Sequence, residues 1–250
     1  AAADPEDRPV FVGFDQGKFR FVTGMVRFAL PGVAFAVALR LHVNAAAKEF
    51  HIKTFGHCEG CSLPPKAAES TTPGAGALHR TSSMPADELI DFCRKHNLTP
   101  NALFNAAFGY TLSRFCNLDE AVYTTVYNGR SDSRLASAFG MLVKTLPVLV
   151  RPEAGSGTVD FIKSVGGQIM ESMSNDLFSF AEVSESCGIR ADVIFVYQGE
   201  NFAFKSLCGE EAEFRTLLPP VAKAPFTLTV SLNGGKFEYD AGYRKDFFSQ

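Results

Sequence analysis

The amino-acid sequence predicts an α/β fold, and three patterns in it support that prediction. Apolar residues recur every three or four positions over 85–95 and 99–115, as they do on one face of a helix. Two runs rich in Val, Thr and Tyr, 121–127 and 142–150, suit strands. Asn233-Gly234 separates two alternating runs, which is typical of a β-hairpin. Helices and strands therefore share the same stretch of chain.

The composition limits the kind of protein this can be. Of 250 residues, 46% are hydrophobic, which is enough for a sizeable core, and 20% are charged. The formal net charge is -3, so the basic surface that usually marks a nucleic-acid-binding protein is not indicated. An uncharged, mostly apolar run covers residues 28–39, whereas a membrane span needs roughly 20 such residues. We therefore expect no nucleic-acid partner and no membrane segment.

The six cysteines indicate a reducing compartment rather than a disulfide framework. Only Cys58 and Cys61 form a close pair, and His57 lies beside it. A structural zinc site usually needs four ligands, often from two such pairs, and the sequence offers no second pair. We therefore predict no metal site and interpret the pair as a fortuitous spacing in a loop.

The chain divides into three segments by pattern and composition. Residues 1–61 are left unassigned, because their short apolar runs could be strands and one of them could equally be a short buried helix. Residues 62–83 are rich in Pro, Gly, Ser and Thr, and we predict that they form a linker without packed elements. Residues 84–250 contain the predicted helices and strands.

The predicted elements of the third segment follow one another closely. After the first helix, Thr99-Pro100 gives a cap followed by proline at the first helical position, which starts the second helix. Another helix covers 159–173, with apolar residues on one face. The continuous apolar run at 193–197, within a strand over 191–198, predicts burial on both faces.

The central stretch combines two strands with a polar loop. Asn128-Gly129 opens the loop, which carries Arg130 and Asp132. A charged loop between two buried strands is a common way of presenting a binding surface. Pro147 lies inside the second strand and predicts an edge position, a bulge or a strand end there.

Motifs in and after this stretch resemble those of the condensation domains of nonribosomal peptide synthetases. There a Gly-Arg pair follows a strand, and a Gly-x-Phe-Val-Asn-Thr-x-Pro-like strand comes shortly after. Leu142 and Lys144 depart from that pattern, replacing Phe and Asn. The residues that match are Gly129, Arg130, Gly140, Val143, Thr145, Pro147 and Arg151. Asn175 and Asp176 resemble part of the family's His/Asn-Gln-Asp-x-Pro-Phe-Glu motif, although the Pro is missing.

The resemblance implies a two-layer α/β sandwich of the chloramphenicol acetyltransferase-like type, with a mixed sheet and packed helices. It covers roughly residues 77–243, and more faintly 58–76, so the chain resembles mainly the C-terminal lobe of such a domain. On this interpretation, 84–250 is that lobe. The unassigned segment 1–61 is then a divergent remnant of the N-terminal lobe or sequence foreign to the family.

The resemblance also implies candidate residues for a substrate channel between two lobes, with the strand–loop–strand around 129–145 forming part of its floor. Arg130 could hold a carboxylate or the loop itself, and a structural ion pair with Asp132 is the alternative. A role as a turn residue is the alternative for Asp176. The candidates are Gly129, Arg130, Gly140, Lys144, Thr145, Asp176, Arg190 and Gln198.

The family's catalytic His-His-x-x-x-Asp-Gly motif is absent from this sequence. None of the five histidines is paired with another or followed by Asp four residues later. We therefore predict no catalytic residue and expect the chain alone to be inactive. The histidines are His42, His51, His57, His79 and His96.

What the resemblance implies is amide-bond formation between a carrier-tethered acyl or peptidyl thioester and an aminoacyl thioester. No cofactor would bind directly, because the phosphopantetheine arms belong to the partner carrier proteins. Further implied partners are neighbouring adenylation and carrier domains and the N-terminal condensation lobe, in the cytoplasm. Two alternatives remain open: a coenzyme A-dependent acyltransferase of the same fold, and a non-catalytic lobe that docks carrier proteins.

Overall fold

The computed structural model contains five helices and eight strands within the part of the chain that it describes. The helices are α1 (44–55), α2 (Ala86–Lys95), α3 (Pro100–Phe115), α4 (Thr158–Ser174) and α5 (Phe180–Cys187). The strands are β1 (Ala75–Pro85), β2 (Ala121–Tyr127), β3 (Lys144–Val150), β4 (Val193–Gly199), β5 (Ser206–Leu207), β6 (Glu210–Glu211), β7 (Phe226–Asn233) and β8 (Lys236–Arg244). The described residues are 44–58, 60–63, 74–130, 140–153, 155–199, 206–207, 210–211, 222 and 224–248.

Six strands form a mixed sheet in the order β1-β8-β7-β4-β2-β3, and β5 pairs with β6 separately. The pairs β2–β3 and β7–β8 are antiparallel, whereas β4 runs parallel to both β2 and β7. The predicted hairpin at Asn233-Gly234 is confirmed. The expectation of an edge position from Pro147 is also confirmed, because β3 is the last strand in the order formed by the described residues.

Helices α3 and α4 pack on one face of the sheet and form the main core with it. Alternate residues of β2, β3 and β4, among them Tyr123, Val148 and Phe195, are fully buried there. The hydroxyl of Tyr123 donates to the main-chain oxygen of Asn105 on α3 at 2.8 Å. In the predicted buried strand β4, only Val193 and Phe195 are fully buried, and the other residues are half-buried.

Helices α1 and α5 form a second apolar cluster, which reaches Val122 and Leu149 from the opposite face of the sheet. Phe55 and Ile189 are fully buried in it. Because α4 packs on the other face, the chain crosses from one face of the sheet to the other between α4 and α5. None of the helices in the described part of the chain combines the length and the apolarity that a bilayer crossing needs.

The expectation that residues 62–83 lack packed elements is wrong for their second half, because residues 75–83 lie in β1. This strand pairs antiparallel with β8, from Ala75 opposite Arg244 to Thr81 opposite Glu238. Most of its side chains are exposed, so backbone hydrogen bonds rather than apolar burial hold it at the sheet edge. A polar edge strand gives no apolar signal in the sequence. The placement of domain boundaries at 61/62 and 83/84 stays a prediction.

The unassigned segment 1–61 contains α1, which the sequence did not predict. Its His51 is buried and lies between the rings of Phe55 and Phe178, with ring centroids 5.9 and 6.0 Å away. The Nε2 atom of His51 lies 3.3 Å from the main-chain oxygen of Asn175. The described residues offer its Nδ1 atom no hydrogen-bond partner. Burial lowers the pKa of His51 below its ordinary value, and the bond to Asn175 opposes that change.

We expect the stability of the protein to fall as the pH drops below about 6.5, in part because of His51. The unfolded chain takes up a proton at this histidine at a higher pH than the folded chain does, since its pKa is lowered on folding. The stabilising contribution is therefore present above the unfolded pKa and is lost as the pH falls through the folded pKa. Urea unfolding at about pH 7.5 and at pH values near 5 measures this loss on both sides of the ordinary histidine pKa. His51→Gln, which keeps an N–H donor and does not titrate, should lose less stability over this range. Equal losses in both proteins would contradict the prediction.

Candidate functional site

Seven of the eight predicted channel residues lie at one end of the sheet or are joined to it. Strands β2 and β4 are parallel, so their C-terminal ends meet there, and antiparallel β3 begins there. Gly129 and Arg130 follow β2, and Gln198 lies next to the last residue of β4. Asp176 reaches this end through a contact with Lys144. We call this region the loop end, defined by Gly129, Arg130, Gly140, Lys144, Thr145, Asp176 and Gln198.

Gly129 fixes the start of the loop. Its φ angle is +65°, a left-handed conformation that glycine adopts without strain. A Cβ atom at this position would overlap the main-chain oxygen of Leu142 and would lie 2.8 Å from its carbonyl carbon. The side-chain oxygen of Asn128 accepts a hydrogen bond from the main-chain N–H of Arg130 at 3.0 Å. The two sides of the loop therefore touch here, and only a residue without a side chain fits.

Arg130 connects the two described ends of the same loop. Its Nη2 atom donates to the main-chain oxygen of Gly140 at 3.2 Å. This contact supports the interpretation that the guanidinium holds the loop itself. The alternative partner, Asp132, lies outside the described residues, and a role for Arg130 in binding a carboxylate stays a prediction.

Lys144 and Asp176 form an ion pair that links the start of β3 to the turn between α4 and α5. The Nζ atom of Lys144 lies 2.9 Å from Oδ2 of Asp176, and it also donates to the main-chain oxygen of Asp176 at 3.3 Å. Burial lowers the pKa of Lys144 and raises the pKa of Asp176, so burial opposes the charge on each group. Their mutual attraction acts in the opposite direction. Lys144 stands where the resembling family has Asn, and here it joins two of the predicted motifs.

We expect Lys144→Ala to lower the free energy of unfolding by about 1 to 2 kcal/mol, because it leaves the largely buried carboxylate of Asp176 without its partner. In an Asp176→Asn background the same change should cost less. Denaturant unfolding of the four proteins in this double-mutant cycle measures the coupling. Lys163→Ala on α4, which removes an exposed lysine, is the matched control. A coupling energy near zero would show that the pair contributes nothing.

The structure does not bring Arg190 to the loop end. Arg190 precedes β4, whereas the loop-end residues follow β2 and β4 or begin β3, so it lies at the opposite end of the sheet. Its Nε atom donates to Oδ2 of Asp192 at 2.6 Å. This ion pair raises the pKa of the Arg190 guanidinium. The role in the substrate channel that the resemblance implied for Arg190 stays a prediction.

The same opposite end holds a group that the sequence pattern did not reveal. Glu120 precedes β2 and Arg151 follows β3, and the strand register brings them together. The Nη2 atom of Arg151 lies 2.6 Å from Oε2 of Glu120 and 2.7 Å from Nε2 of His57. Cys58 is buried beside them, and burial together with the negative charge of Glu120 raises the pKa of its thiol to about 12. Among the described residues, His57, Cys58 and Glu120 are the group whose donor atoms could hold a metal ion.

A family model described as "Condensation domain" matches residues 45–250. The chain belongs to the condensation-domain family. This confirms the resemblance that the motifs around Gly129 and Asp176 indicated. The match begins within α1, so residues 45–61 of the segment left unassigned by the sequence are part of it.

Curated relatives of this condensation-domain chain include large peptide synthetases. It is 27% identical over 182 residues to nonribosomal peptide synthetase 5 of Aspergillus fumigatus, an alignment that covers 69% of this chain and 8% of that protein. It is 23% identical over 182 residues to tyrocidine synthase 2 of Brevibacillus parabrevis, covering 67% of this chain and 5% of that protein. The chain thus matches less than a tenth of the length of these relatives.

Solved structures confirm the fold of this condensation-domain chain. The condensation domain from the monacolin K polyketide synthase MokA superimposes with a TM-score of 0.66 at 14% identity, covering 93% of this chain and 59% of that one. The epimerization domain from the third module of tyrocidine synthetase B gives 0.64 at 13% identity, covering 86% and 54%. The predicted α/β class, with a mixed sheet and packed helices, is therefore confirmed, and the chain corresponds to slightly more than half of each domain.

Proposed function

We propose that this chain is the C-terminal lobe of a peptide synthetase condensation domain and contributes part of the floor of its substrate channel. The observation that carries the proposal is the family match, together with the meeting of its motif residues at the loop end. In the proposed reaction, the amine of a carrier-tethered aminoacyl thioester attacks the carbonyl carbon of an acyl or peptidyl thioester. The amide bond forms as the C–S bond breaks, and the donor's phosphopantetheine leaves as a thiol.

The loop end of this chain would position substrates rather than remove the proton from the amine. A general base has to reach within hydrogen-bond distance of that amine. The side chains of Lys144 and Asp176 contact each other, and Arg130 contacts Gly140. The sequence contains no paired histidine of the kind that the family uses. We therefore assign the base to an N-terminal lobe and expect this chain alone to form no amide bond.

The proposal implies that partners deliver both substrates. Peptidyl or acyl carrier proteins would insert their phosphopantetheine arms between the two lobes, and adenylation domains would load the carriers. The size of the curated relatives supports this, since each is more than ten times as long as the stretch that this chain matches and so has room for many further domains. A cytoplasmic location is part of the same proposal.

Calorimetric binding of a phosphopantetheinylated carrier protein, with and without a separately supplied lobe that bears the histidine motif, tests the proposal. We expect amide formation from loaded carriers only when that lobe is added. The matched control is the same lobe with its motif histidine replaced by alanine, which should restore carrier binding but no product.

Three outcomes would contradict the proposal. Amide formation by this chain alone would show that it contains its own base. Carrier binding with no chemistry, even with the added lobe, would favour the docking alternative. Turnover of a coenzyme A thioester in place of the carrier-bound donor would favour the acyltransferase alternative.

A further inference from the structure

We propose that His57, Cys58 and Glu120 form a binding site for a zinc-class divalent cation at the end of the sheet opposite the loop end. The site is independent of the proposed channel, because it lies where β2 begins and β3 ends. It combines one imidazole nitrogen, one thiol sulfur and one carboxylate oxygen. We call these three donors the donor triangle.

The separations within the donor triangle fit a metal ion. His57 Nε2 lies 3.7 Å from Cys58 Sγ and 3.7 Å from Glu120 Oε1, and Cys58 Sγ lies 3.8 Å from the same Oε1. The nearest point that is equidistant from all three atoms lies about 2.2 Å from each. This agrees with the distances at which zinc binds nitrogen and oxygen, about 2.0–2.2 Å, and sulfur, about 2.3 Å. An ion can therefore contact all three donors with shifts of a few tenths of an ångström.

The kinds of donor decide which ion fits. Thiolate and imidazole ligands favour zinc and similar transition metals, whereas magnesium and calcium favour oxygen ligands throughout. Three protein ligands leave the fourth tetrahedral position open to water or another group. The donor triangle therefore matches a zinc site with one open position rather than a closed structural site of four protein ligands.

Arg151 orients two members of the donor triangle. Its positively charged guanidinium contacts both His57 and Glu120, so these two side chains already bind a cation. Its Nε and Nη2 atoms donate to Oε2 of Glu120 at 2.9 and 2.6 Å, which leaves Oε1 directed at His57 and Cys58. Its Nη2 atom also lies 2.7 Å from Nε2 of His57. Since arginine can only donate, this nitrogen of His57 accepts and so carries the lone pair that a metal needs. The side chain of Arg151 is 52% exposed, so Nη2 can leave His57 while Nε still holds Glu120.

The backbone holds the donors in place without a metal. Glu120 and Arg151 flank the paired residues Ala121 and Val150 in the β2–β3 register. The main-chain N–H of Cys58 donates to the main-chain oxygen of Phe55 at the end of α1, at 2.9 Å. Metal binding would thus require side-chain movement at Arg151 and no rearrangement of strands.

This inference revises the sequence-based expectation of no metal site, which considered Cys58 and Cys61 as the ligand pair. In the structure the two thiols have different partners. The thiol of Cys61 donates to the main-chain oxygen of Val122 at 3.3 Å and is not part of the donor triangle. Cys61 therefore serves as a matched control for Cys58.

Titration of the full chain with Co²⁺, followed by displacement with Zn²⁺, tests the proposal. We expect one equivalent of Co²⁺ to produce the charge-transfer absorption of a cobalt–thiolate bond, and Zn²⁺ to abolish it. Cys58→Ser should lose this absorption, and Cys61→Ser should keep it. His57→Gln and Glu120→Gln alter partly exposed side chains that should not unfold the protein. Each should weaken Zn²⁺ binding by about tenfold or more. Removing a residue that only hydrogen-bonds to a metal ligand already costs about tenfold in metal affinity, and these two variants remove a ligand itself.

The proposal is overturned if wild-type protein binds Co²⁺ without thiolate absorption or binds none. It is also overturned if the absorption survives Cys58→Ser, or if Cys61→Ser removes it as completely. Far-ultraviolet circular dichroism of each variant shows that a lost signal comes from a lost ligand and not from an unfolded chain.

Discussion

Replacing Gly129 with alanine is expected to lower the free energy of unfolding by about 3 kcal/mol, the sum of two separate costs. Alanine in the left-handed conformation at φ +65° costs about 1 to 2 kcal/mol. The new Cβ would also overlap the main-chain oxygen of Leu142, and backbone atoms cannot move aside as a flexible side chain can. The loop must therefore separate from the start of β3, and faster hydrogen exchange at Arg130 should accompany the loss of stability.

Gly188→Ala is the matched control for this experiment. Gly188 follows α5 with a φ angle of +71°, close to that of Gly129, but none of the described residues has an atom within 4 Å of the position that its Cβ would occupy. It should therefore show only the conformational cost, about 1 to 2 kcal/mol. Denaturant unfolding of both variants separates strain from steric overlap. Equal losses would show that the close approach of Leu142 is unimportant.

Gly109→Ala is expected to be the other strongly destabilising change, by about 2 to 3 kcal/mol, because it overfills the core between α3 and the sheet. A Cβ at Gly109 would lie 2.5 Å from Cβ of Val150 and would overlap one of its methyl groups. Val150 is fully buried, and a β-branched side chain in a packed site has few other rotamers. Helix α3 would have to move away from β3 to relieve the overlap.

Gly167→Ala tests whether the loss at Gly109 comes from the contact rather than from changing a helical glycine. Gly167 lies within α4, and the part of the chain that the structure describes has no atom within 4 Å of the position that its Cβ would occupy. Alanine should therefore raise the free energy of unfolding by about 0.5 to 1 kcal/mol, because glycine is the poorer helix former. The two substitutions should have opposite signs in thermal or urea unfolding. Destabilisation by both would contradict the packing argument.

The sequence predicted those elements whose signals are local. The strand at 121–127 and the helix start at Thr99-Pro100 were placed correctly, and Thr99 does cap α3 by accepting from the N–H of Ala102. The β7–β8 hairpin followed from Asn233-Gly234. In each case a few neighbouring residues determine the conformation, so a single stretch of sequence contains the whole signal.

Other features depend on contacts between distant parts of the chain, and the sequence pattern could not show them. Strand β1 is held by β8, which lies far from it along the chain, and its side chains are mostly exposed. Lys144 lies at the start of β3 and Asp176 lies 32 residues later along the chain, so no local pattern predicts their contact. The contact of Glu120 with Arg151 also depends on strand pairing: once β2 and β3 pair antiparallel, the residue before one strand lies beside the residue after the other.

The family motifs predicted most of the residues that meet at the loop end, but they did not predict where each strand places its residues. The motif residues around Gly129 and Asp176 do meet at the loop end. Arg190 does not, because it precedes a strand that runs parallel to β2. Knowing that β4 runs parallel to β2 is enough to place Arg190 at the end of the sheet opposite the loop end. The sequence did not reveal which strands pair, and so it did not give their relative directions.

The position of β4 between β2 and β7 has a consequence for how the chain folds. The two antiparallel pairs on either side of it are each formed by strands that follow one another along the chain, and β7–β8 closes through a two-residue turn. Strand β4 meets its neighbours only through long connections, whose closure costs more entropy. We expect both hairpins to form early and β4 to join them late, as slow non-local pairing requires. Until that step β2 and β7 each have one edge of unpaired backbone groups, with which a strand of another chain can pair.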